Sequence, residues 1–489
     1  MWLLVFFCLN FVVDEVLIMI KKILFVASEM VPFIKTGGLG DVIGSLPIEL
    51  ESKNIDVRVI IPFYKNIKRD GFKFDLITEI NVFDDLNQKA KIYFLNYNGL
   101  PVYFVENDDY FVREKIYGYD DDYMRFAFFS RVALDFLPKV KFRPDIINFN
   151  DWQTGLGCLY LRDFYSKQDF YQQIKSVFTI HNLQYQGIFD KKILEAVKLD
   201  EKYFSVDSLE FYGNINFMKA GILYSDAVTT VSPTYAKEIQ TKEYGYGLDG
   251  LLKYKNNITG ILNGLDRKKY NPEKDKNIVN FGIRDFSGKN LNKKKLCAEF
   301  GFKYKNLTPV VSILSRFAEQ KGFDIIYRAL GKILKLDLQL IIVGTGDSDF
   351  ENLFLKSEFK DYDNFSLNII FDEELAKQVY AGSDIFLMPS KFEPCGLAQM
   401  ISMKYGTIPV ARKTGGLIDT IKDFFVDKKN GNGFLFEEYS PEALFLTLKK
   451  VIEVYKNKFV WRNLVLNAMK SDFSWDLSAE RYIELYNSL

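Results

Sequence analysis

The feature that most constrains the fold of this chain is an alternation of short apolar runs with helical stretches. In the first half, such runs occur at 22–28, 56–64, 101–107, 145–151, 176–182 and 226–232. In the second half, they occur at 309–317, 338–346, 367–371, 384–390 and 407–412. Strand–helix alternation places helices on both faces of a parallel sheet. We therefore predict an α/β protein built from two such halves.

A turn-rich segment at 260–272 follows the last strand of the first half and predicts an inter-domain linker. We therefore expect a first domain at 19–258 and a second at 259–473. Both are long enough to bury a hydrophobic core of their own.

Residues 1–18 do not fit this pattern. Their apolar run is interrupted by Asp14 and Glu15, whereas a membrane span needs about 20 apolar residues. A secretory signal usually begins with basic residues, and none precedes Lys21. We expect translation to start at Met19, and the alternative is a short N-terminal anchor.

The composition excludes several classes of function. The 64 Lys and Arg residues balance the 64 Asp and Glu residues, which argues against tight, unspecific binding to nucleic acid or anionic membranes. A single His rules out a metal site built from histidines. The four Cys are widely spaced without a C-x-x-C pair, so we expect neither a disulfide framework nor a zinc cluster. A reducing cytoplasm is the simplest location.

One pentapeptide occurs twice, once in each half. Lys35, Thr36, Gly37, Gly38 and Leu39 are repeated as residues 413–417. Glycines let a backbone approach a ligand closely, and the amides at a helix start favour an anion. We predict two similar loops that face one cleft. The alternative is that each is only a tight turn between a strand and a helix.

Two cations flank the start of a helix in the second half. Arg316 ends a predicted strand, and Lys321 begins a helical pattern. Cations at a helix N-terminus oppose the macrodipole, and a bound pyrophosphate removes that conflict. The alternative is a solvated surface pair beside Glu319.

Glu393 follows the apolar run at 384–390 and precedes an amphipathic helix. This position is the carboxyl end of a parallel strand, where open α/β sheets bind ligands. A carboxylate accepts two hydroxyl hydrogen bonds, which suits a sugar diol. The alternative is a helix cap. We interpret the neighbouring Cys395 as a packing residue and not as a nucleophile.

His181 lies at the end of a predicted strand within residues 179–183. A lone His usually has a structural role, but the end of a strand opens into the predicted crevice. We therefore include His181 among the candidate site residues.

These segments, in this order, resemble the bacterial and plant-plastid glycogen/starch synthase family. The resemblance runs from about Lys22 to the end of the chain. The motifs that carry it are KTGGLGDV at 35–42, TIHNLQYQG at 179–187, GILNGLD at 260–266, SRFAEQKGFD at 315–324, FEPCGLAQM at 392–400 and KTGGLIDT at 413–420.

The resemblance implies two Rossmann-like domains of the GT-B type with the active site in the cleft between them. It also implies that the last helix, at 474–489, returns to the first domain. The implied reaction transfers glucose from ADP-glucose to the non-reducing end of an α-1,4-glucan such as glycogen or maltodextrin. The anomeric configuration is retained, and neither a metal nor another cofactor is required.

The resemblance also implies residue roles. Arg316 and Lys321 would hold the ADP phosphates, Glu393 would bind glucose hydroxyls, and His181 would contact the glucose 6-hydroxyl. The matching substrate-binding positions are Lys35, Gly37, Gly38, Asp41, Asn182, Asn263, Cys395, Gly396, Gly415 and Gly416.

One segment departs from the family pattern. Many members have H-D-W-H-[TA] where this chain has NDWQT at 150–154. This departure bears on acceptor binding near that loop and not on the donor motifs. Two alternatives from other classes also stay open: a glucan-binding or regulatory homologue that has lost turnover, and a GT-B phosphorylase that uses pyridoxal phosphate.

Overall fold

The computed structural model describes residues 20–82 and 88–489. The predicted extension at 1–18 and the expected start at Met19 lie outside the described residues.

The first half of the chain builds the larger sheet. In the described part of the chain, nine strands form this sheet in the order β12-β11-β7-β6-β1-β2-β5-β4-β3. Strands β3 to β5 pair antiparallel with one another and the remaining pairs are parallel. The strands up to β12 are β1 Lys22–Val26, β2 Asp56–Pro62, β3 Asp75–Val82, β4 Gln88–Tyr97, β5 Leu100–Glu106, β6 Ile146–Asn150, β7 Lys175–Ile180, β8 Ile188–Asp190, β9 Glu210–Phe211, β10 Asn214–Asn216, β11 Ala227–Thr230 and β12 Ile258–Gly260.

The central parallel strands of this sheet are buried on both faces, which is why they appear in the sequence as continuous apolar runs. Strands β8 to β10 form a separate small antiparallel sheet. The helices of this half are α1 Gly38–Ile43, α2 Leu46–Ser52, α3 Asp122–Lys139, α4 Gly155–Tyr160, α5 Phe217–Tyr224, α6 Pro233–Glu238 and α7 Asp249–Lys255.

The second half builds a sheet that is parallel throughout. Within residues 88–489, its six strands run in the order β15-β14-β13-β16-β17-β18. These strands are β13 Val310–Leu314, β14 Gln339–Gly344, β15 Phe365–Ile369, β16 Ile385–Met388, β17 Ile408–Arg412 and β18 Phe434–Phe436. The helices are α8 Ser287–Glu299, α9 Phe323–Ile333, α10 Ser348–Leu355, α11 Glu373–Gly382, α12 Ala398–Lys404, α13 Gly415–Thr420, α14 Pro441–Lys456, α15 Lys458–Lys470 and α16 Trp475–Asn487. The predicted α/β class is confirmed, and the second sheet is parallel as predicted. The first sheet differs from the prediction at one edge, where β3, β4 and β5 pair antiparallel.

The last helix, α16, packs against the first sheet and against α2. The Asn148 amide donates to the Tyr486 hydroxyl over 2.8 Å, and both residues are buried. Lys53, the residue directly after α2, forms an ion pair with Asp476 at 2.6 Å. The predicted domain boundary between 258 and 259 falls inside β12, which pairs with β11 of the first sheet.

Among residues 20–82 and 88–489, the helices are all too short or too polar to cross a lipid bilayer.

The buried contact between α16 and the first sheet makes a stability prediction. We expect Tyr486→Phe to lower the free energy of unfolding by about 1–3 kcal/mol, because the Asn148 amide would lose its buried acceptor. Guanidinium chloride unfolding of the full chain measures this. Tyr254→Phe is the matched control because Tyr254 is 83% exposed. Equal midpoints for the two variants would contradict the prediction.

Candidate active site

The candidate site lies where strand ends of the two sheets meet. Ser232, just after β11, donates its hydroxyl to the Pro394 carbonyl over 2.6 Å. Pro394 follows β16, so the carboxyl ends of β11 and β16 face each other across the domain junction. Ligands of open α/β sheets bind at such ends.

Glu393 and Lys321 form an ion pair at the second domain's side of this junction. The Lys321 ammonium lies 2.6 Å from Glu393 Oε2, and the Ser390 hydroxyl donates to the same oxygen over 3.1 Å. Glu393 is 5% exposed, so these two donors replace the hydration that burial removes. Gly322 has a φ of 79°, and a Cβ there would meet the Pro389 carbonyl oxygen at 2.2 Å. This close packing holds the turn that carries Lys321 beside the segment that carries Glu393.

Arg316 lies two residues after β13 and is exposed. Within the part of the chain that the structure describes, its guanidinium has no hydrogen-bond or ion-pair partner, whereas Lys321 is paired with Glu393. The two cations are therefore not an equivalent pair. Glu319, the expected neighbour of a solvated pair, is bound instead to Lys391 at 2.7 Å.

The first glycine loop is held by a carboxylate from its own domain. Glu29 accepts the Thr36 amide over 2.5 Å, the Thr36 hydroxyl over 2.6 Å and the Gly37 amide over 3.3 Å. Lys35 forms an ion pair with Asp41 at 2.6 Å. The two charged side chains of this loop that are predicted to contact the substrate are therefore paired with each other. A Cβ placed on Gly37 or Gly38 would meet no atom within 4 Å. This surface of the loop is open.

The second glycine loop is held in the same way, but by a carboxylate from the other domain. Glu238 of α6 accepts the Thr414 hydroxyl over 3.1 Å and the Gly415 amide over 2.9 Å. Burial raises the pKa of the Glu238 carboxyl, and the Gly415 amide lowers it. Thr234 of α6 also donates to Asp419 through its amide and its hydroxyl.

The amides predicted to reach a ligand from Gly415 and Gly416 have other partners in this structure. The Gly415 amide donates to Glu238, and the Gly416 amide donates to the Glu393 carbonyl over 3.0 Å. A Cβ at 415 would lie 2.0 Å from the Glu393 carbonyl oxygen, and one at 416 would lie 2.2 Å from that of Cys395. Both glycines are explained by this close backbone packing.

His181 is buried at the end of β7. Its Nε2 lies 2.9 Å from Asn150 Oδ1, and the Asn150 amide group donates to the carbonyls of Val26 and Asn148. Asn150 Oδ1 is therefore an acceptor, so Nε2 carries the imidazole proton and Nδ1 offers a lone pair. Burial lowers the pKa of His181 to about 3, which keeps the ring neutral at ordinary pH.

Asp151 stabilises the turn that carries His181, and it is not among the site residues predicted from the sequence. Its Oδ1 accepts the His181 amide over 2.7 Å, and burial raises the pKa of this carboxyl to about 7. Asp151 has a φ of 57°, an uncommon conformation for a residue other than glycine. Asn150 and Asp151 end the run at 145–151, and polar residues at a strand end are the signal that could have identified them.

The remaining predicted site residues are Asn182, Asn263, Cys395 and Gly396. Asn182 Oδ1 accepts the Gln184 amide over 3.1 Å, so that side chain is used within its own loop. Asn263 is 5% exposed, and its Oδ1 has no hydrogen-bond partner in the described part of the chain. Burial raises the pKa of Cys395 to about 12, which supports a packing thiol. Gly396 has a φ of 75°, which lies in the left-handed region that glycine adopts readily.

Among residues 20–82 and 88–489, no group of three or more His, Cys, Asp or Glu side chains is arranged to hold a metal ion.

Comparison with known proteins identifies the family. The family described as starch synthase catalytic domain matches residues 22–254, and glycosyl transferases group 1 matches residues 301–462. A glycogen synthase of Desulforamulus reducens is 46% identical over 474 residues, which cover 96% of this chain and 98% of that protein. The chain belongs to the glycogen and starch synthase family. A Clostridioides difficile glycogen synthase is 44% identical, with 96% of this chain and 99% of that protein covered.

A solved glycogen and starch synthase structure confirms the GT-B fold. The catalytic domain of Starch Synthase IV from Arabidopsis thaliana, bound to ADP and acarbose, has a TM-score of 0.90 and 35% identity. The match covers 96% of this chain and 99% of that chain. The chain is thus a glycosyltransferase of the glycogen and starch synthase family, as the motifs predicted.

Asn150, the first residue of the segment that departs from the family pattern, contacts His181. Asn150 stands where many glycogen and starch synthases have a His, and its amide oxygen binds the imidazole of His181. An amide at this position fixes the proton on Nε2, and an amide does not titrate. The position therefore still orients His181 without adding a second imidazole.

The buried, neutral His181 makes a pH prediction. We expect the ring-nitrogen chemical shifts of His181 in a nuclear magnetic resonance titration to stay those of a neutral imidazole between pH 5 and 8, since burial lowers the pKa of the ring from 6.5 to about 3. The neighbouring Asp151 carboxyl, whose pKa burial raises to about 7, shifts these signals without protonating the ring. The unfolded ring takes up a proton below 6.5 and the folded ring does not, so His181 makes stability fall as pH decreases from 6.5.

The single His makes the signal unambiguous. The matched control is the same protein in urea, where the ring should titrate with its ordinary pKa. Ring-nitrogen chemical shifts of a protonated imidazolium in the native protein between pH 5 and 8 would contradict the buried neutral ring.

Proposed function

We propose that this chain is a glycogen synthase that transfers glucose from ADP-glucose to the non-reducing end of an α-1,4-glucan with retention of configuration. Relatives named glycogen synthase at 43–46% identity support this reaction. A starch synthase with ADP and acarbose bound supports an adenine nucleotide and a glucan as ligands. The observation that carries the proposal is the ion pair between half-buried Lys321 and buried Glu393, together with Arg316, which follows the neighbouring strand β13 and has no side-chain partner in the described part of the chain.

The two cations stabilise the leaving diphosphate. Arg316 offers a planar fork with no competing partner among residues 20–82 and 88–489, and Lys321 is a point charge already aligned by Glu393 at 2.6 Å. Negative charge grows on the diphosphate as the glycosidic bond breaks, and fixed cations stabilise that charge most in the transition state. Glu393 then accepts hydroxyl hydrogen bonds from the donor glucose while Ser390 and Lys321 hold its Oε2 in position.

The first domain contributes the other side of the donor sugar. His181 Nδ1 has a lone pair that accepts a hydrogen bond from a sugar hydroxyl, because Nε2 donates to Asn150. The open face at Gly37 and Gly38 leaves room for a ligand, with Lys35 released from Asp41 when a phosphate arrives. Asn263 Oδ1 needs a donor, which a ligand hydroxyl supplies.

The retaining step needs no general base from the protein. In the mechanism that the family resemblance implies, the acceptor hydroxyl attacks from the face of the leaving group. A phosphate oxygen of the departing ADP takes the proton of that hydroxyl. This fits a neutral His181 that donates to Asn150 and holds no spare proton.

Phe371 is the platform for the nucleotide base in this proposal. It lies two residues after β15, at the edge of the second sheet where the strands end, and it is 79% exposed. An aromatic face stacks on a purine, and the carboxyl ends of the strands in an open α/β sheet are where ligands bind.

The domain assignment and the location are also proposals. The first domain would span 19–258 together with the returning helix at 474–489, and the second would span 259–473. Contacts of α16 with α2 and Asn148 support the return. A cytoplasmic location is supported by free, buried thiols at Cys158, Cys297 and Cys395.

Incorporation of labelled glucose into glycogen tests the reaction. We expect wild-type protein to transfer label from ADP-glucose and Glu393→Ala to lose this transfer, because the variant lacks the carboxylate that orients the donor. UDP-glucose serves as the comparison donor. No incorporation from either donor would refute the proposed enzyme.

The roles of the cations make a separate prediction. We expect Arg316→Ala and Lys321→Ala each to lower kcat by at least about 100-fold, because each removes charge stabilisation from the leaving diphosphate. Lys332→Ala is the control, since Lys332 is an exposed lysine of α9 that forms an ion pair with Glu442. Wild-type turnover in either site variant would remove that residue from the mechanism.

A further inference from the structure

Three tyrosines from different segments lie exposed on the first domain, next to the cleft. We call them the tyrosine patch: Tyr185 is 53% exposed, Tyr212 is 79% exposed and Tyr246 is 37% exposed. Burial, and to a smaller extent the neighbouring Glu319 carboxylate and Tyr185 phenol, raise the pKa of Tyr246 to about 12. The patch therefore extends to Glu319 of the second domain.

Tyr212 occupies a backbone position that disfavours it. Tyr212 and Gly213 form the two-residue turn between β9 and β10, with φ values of 49° and 82°. Asn-Gly is the favoured pair in such a turn, and a bulky residue at positive φ is unusual. Because the ring is mostly exposed, burial does not compensate for this strain. Packing alone therefore does not explain a tyrosine here.

Tyr246 repeats the same arrangement. Tyr246 and Gly247 have φ values of 48° and 84°, so the patch contains a second left-handed Tyr-Gly pair. A Cβ on Gly247 would lie 3.1 Å from the Tyr212 ring, which places the two turns side by side. Strained residues supported by their surroundings concentrate at functional sites.

The patch is continuous with the candidate active site. The Tyr246 ring lies 6.0 Å from that of Phe392, the residue before Glu393. The Tyr246 carbonyl accepts the Gln186 amide over 3.1 Å, which ties it to the loop that carries Tyr185 and begins after His181. The patch therefore adjoins both the segment that carries Glu393 and the loop that follows His181.

We propose that the tyrosine patch binds the α-1,4-glucan acceptor outside the cleft, with tyrosine rings packed against successive glucose units. This inference rests on the proposed function. Sugar rings present flat C–H faces that pack on aromatic rings, while phenol groups also bond to hydroxyls. The exposed amide side chains of Gln184 and Asn214, beside the rings, add donors and acceptors for hydroxyls.

The patch distinguishes long acceptors from short ones. Maltotriose fills the cleft with few units left to contact the patch, whereas a glycogen branch continues across it. Loss of one stacking ring weakens polymer binding by about 5-fold. The KM for glycogen should therefore rise more than the KM for maltotriose.

Tyr212→Asn is the most informative variant, because Asn suits the left-handed turn while the aromatic ring is removed. Retardation of the full chain in native gels that contain glycogen measures binding without donor or turnover. We expect Tyr212→Asn to weaken glycogen binding about 5-fold and Tyr185→Ser/Tyr212→Asn to weaken it further, whereas Tyr212→Trp should bind like wild type.

Tyr254→Ser is the matched control. Tyr254 is 83% exposed, and its neighbour Lys255 bonds to the carbonyls of Leu223 and Ser225, which precede β11. That is the edge of the sheet opposite the cleft, so glycogen binding should not change.

The outcomes separate this inference from the proposed function. Equal glycogen binding by wild type and the double variant, or no retardation of wild type, would overturn the patch even if glucose transfer is intact. If glucose transfer is absent but the variants still lose glycogen binding, the patch stands and the proposed reaction fails.

Discussion

The buried carboxylate of Glu393 is the charge on which the candidate site depends, because an ionised group removed from water needs partners that replace its hydration. Lys321 and Ser390 are those partners. Both come from segments that glycine packing brings together, since Gly322 lies against Pro389 where a side chain would not fit. A diphosphate that approaches Lys321 therefore meets a cation already fixed in position.

Strand positions could be predicted because parallel strands buried on both faces appear as continuous apolar runs, and the polar residues after them fall at one edge. That reasoning identified Arg316, His181 and Glu393. It could not identify Glu238, which contacts Thr414 across 176 residues, because one carboxylate among 64 Asp and Glu has no local signal. An exposed Phe371 is equally hard to distinguish among 45 phenylalanines.

The repeated pentapeptide shows a different limit of sequence reasoning. Glycine at 37 and 38 leaves open space, whereas glycine at 415 and 416 fits against the backbone of 393–395. The same residue type serves both purposes, so the sequence alone cannot separate a loop that admits a ligand from one that admits its own chain. What the two loops share is the carboxylate that binds their Thr and Gly groups: Glu29 in one and Glu238 in the other.

The difference between those carboxylates couples the domains to the chemistry. Glu29 belongs to the same domain as its loop, but Glu238 of α6 reaches across the junction to Gly415. The next amide, that of Gly416, donates to the Glu393 carbonyl. A rotation that moves α6 relative to α13 therefore acts on the backbone segment that positions Glu393. Thr234 of α6 also donates to Asp419 of α13, so hydrogen bonds at two positions oppose this rotation. Domain geometry and the orientation of Glu393 are thus set by one group of contacts.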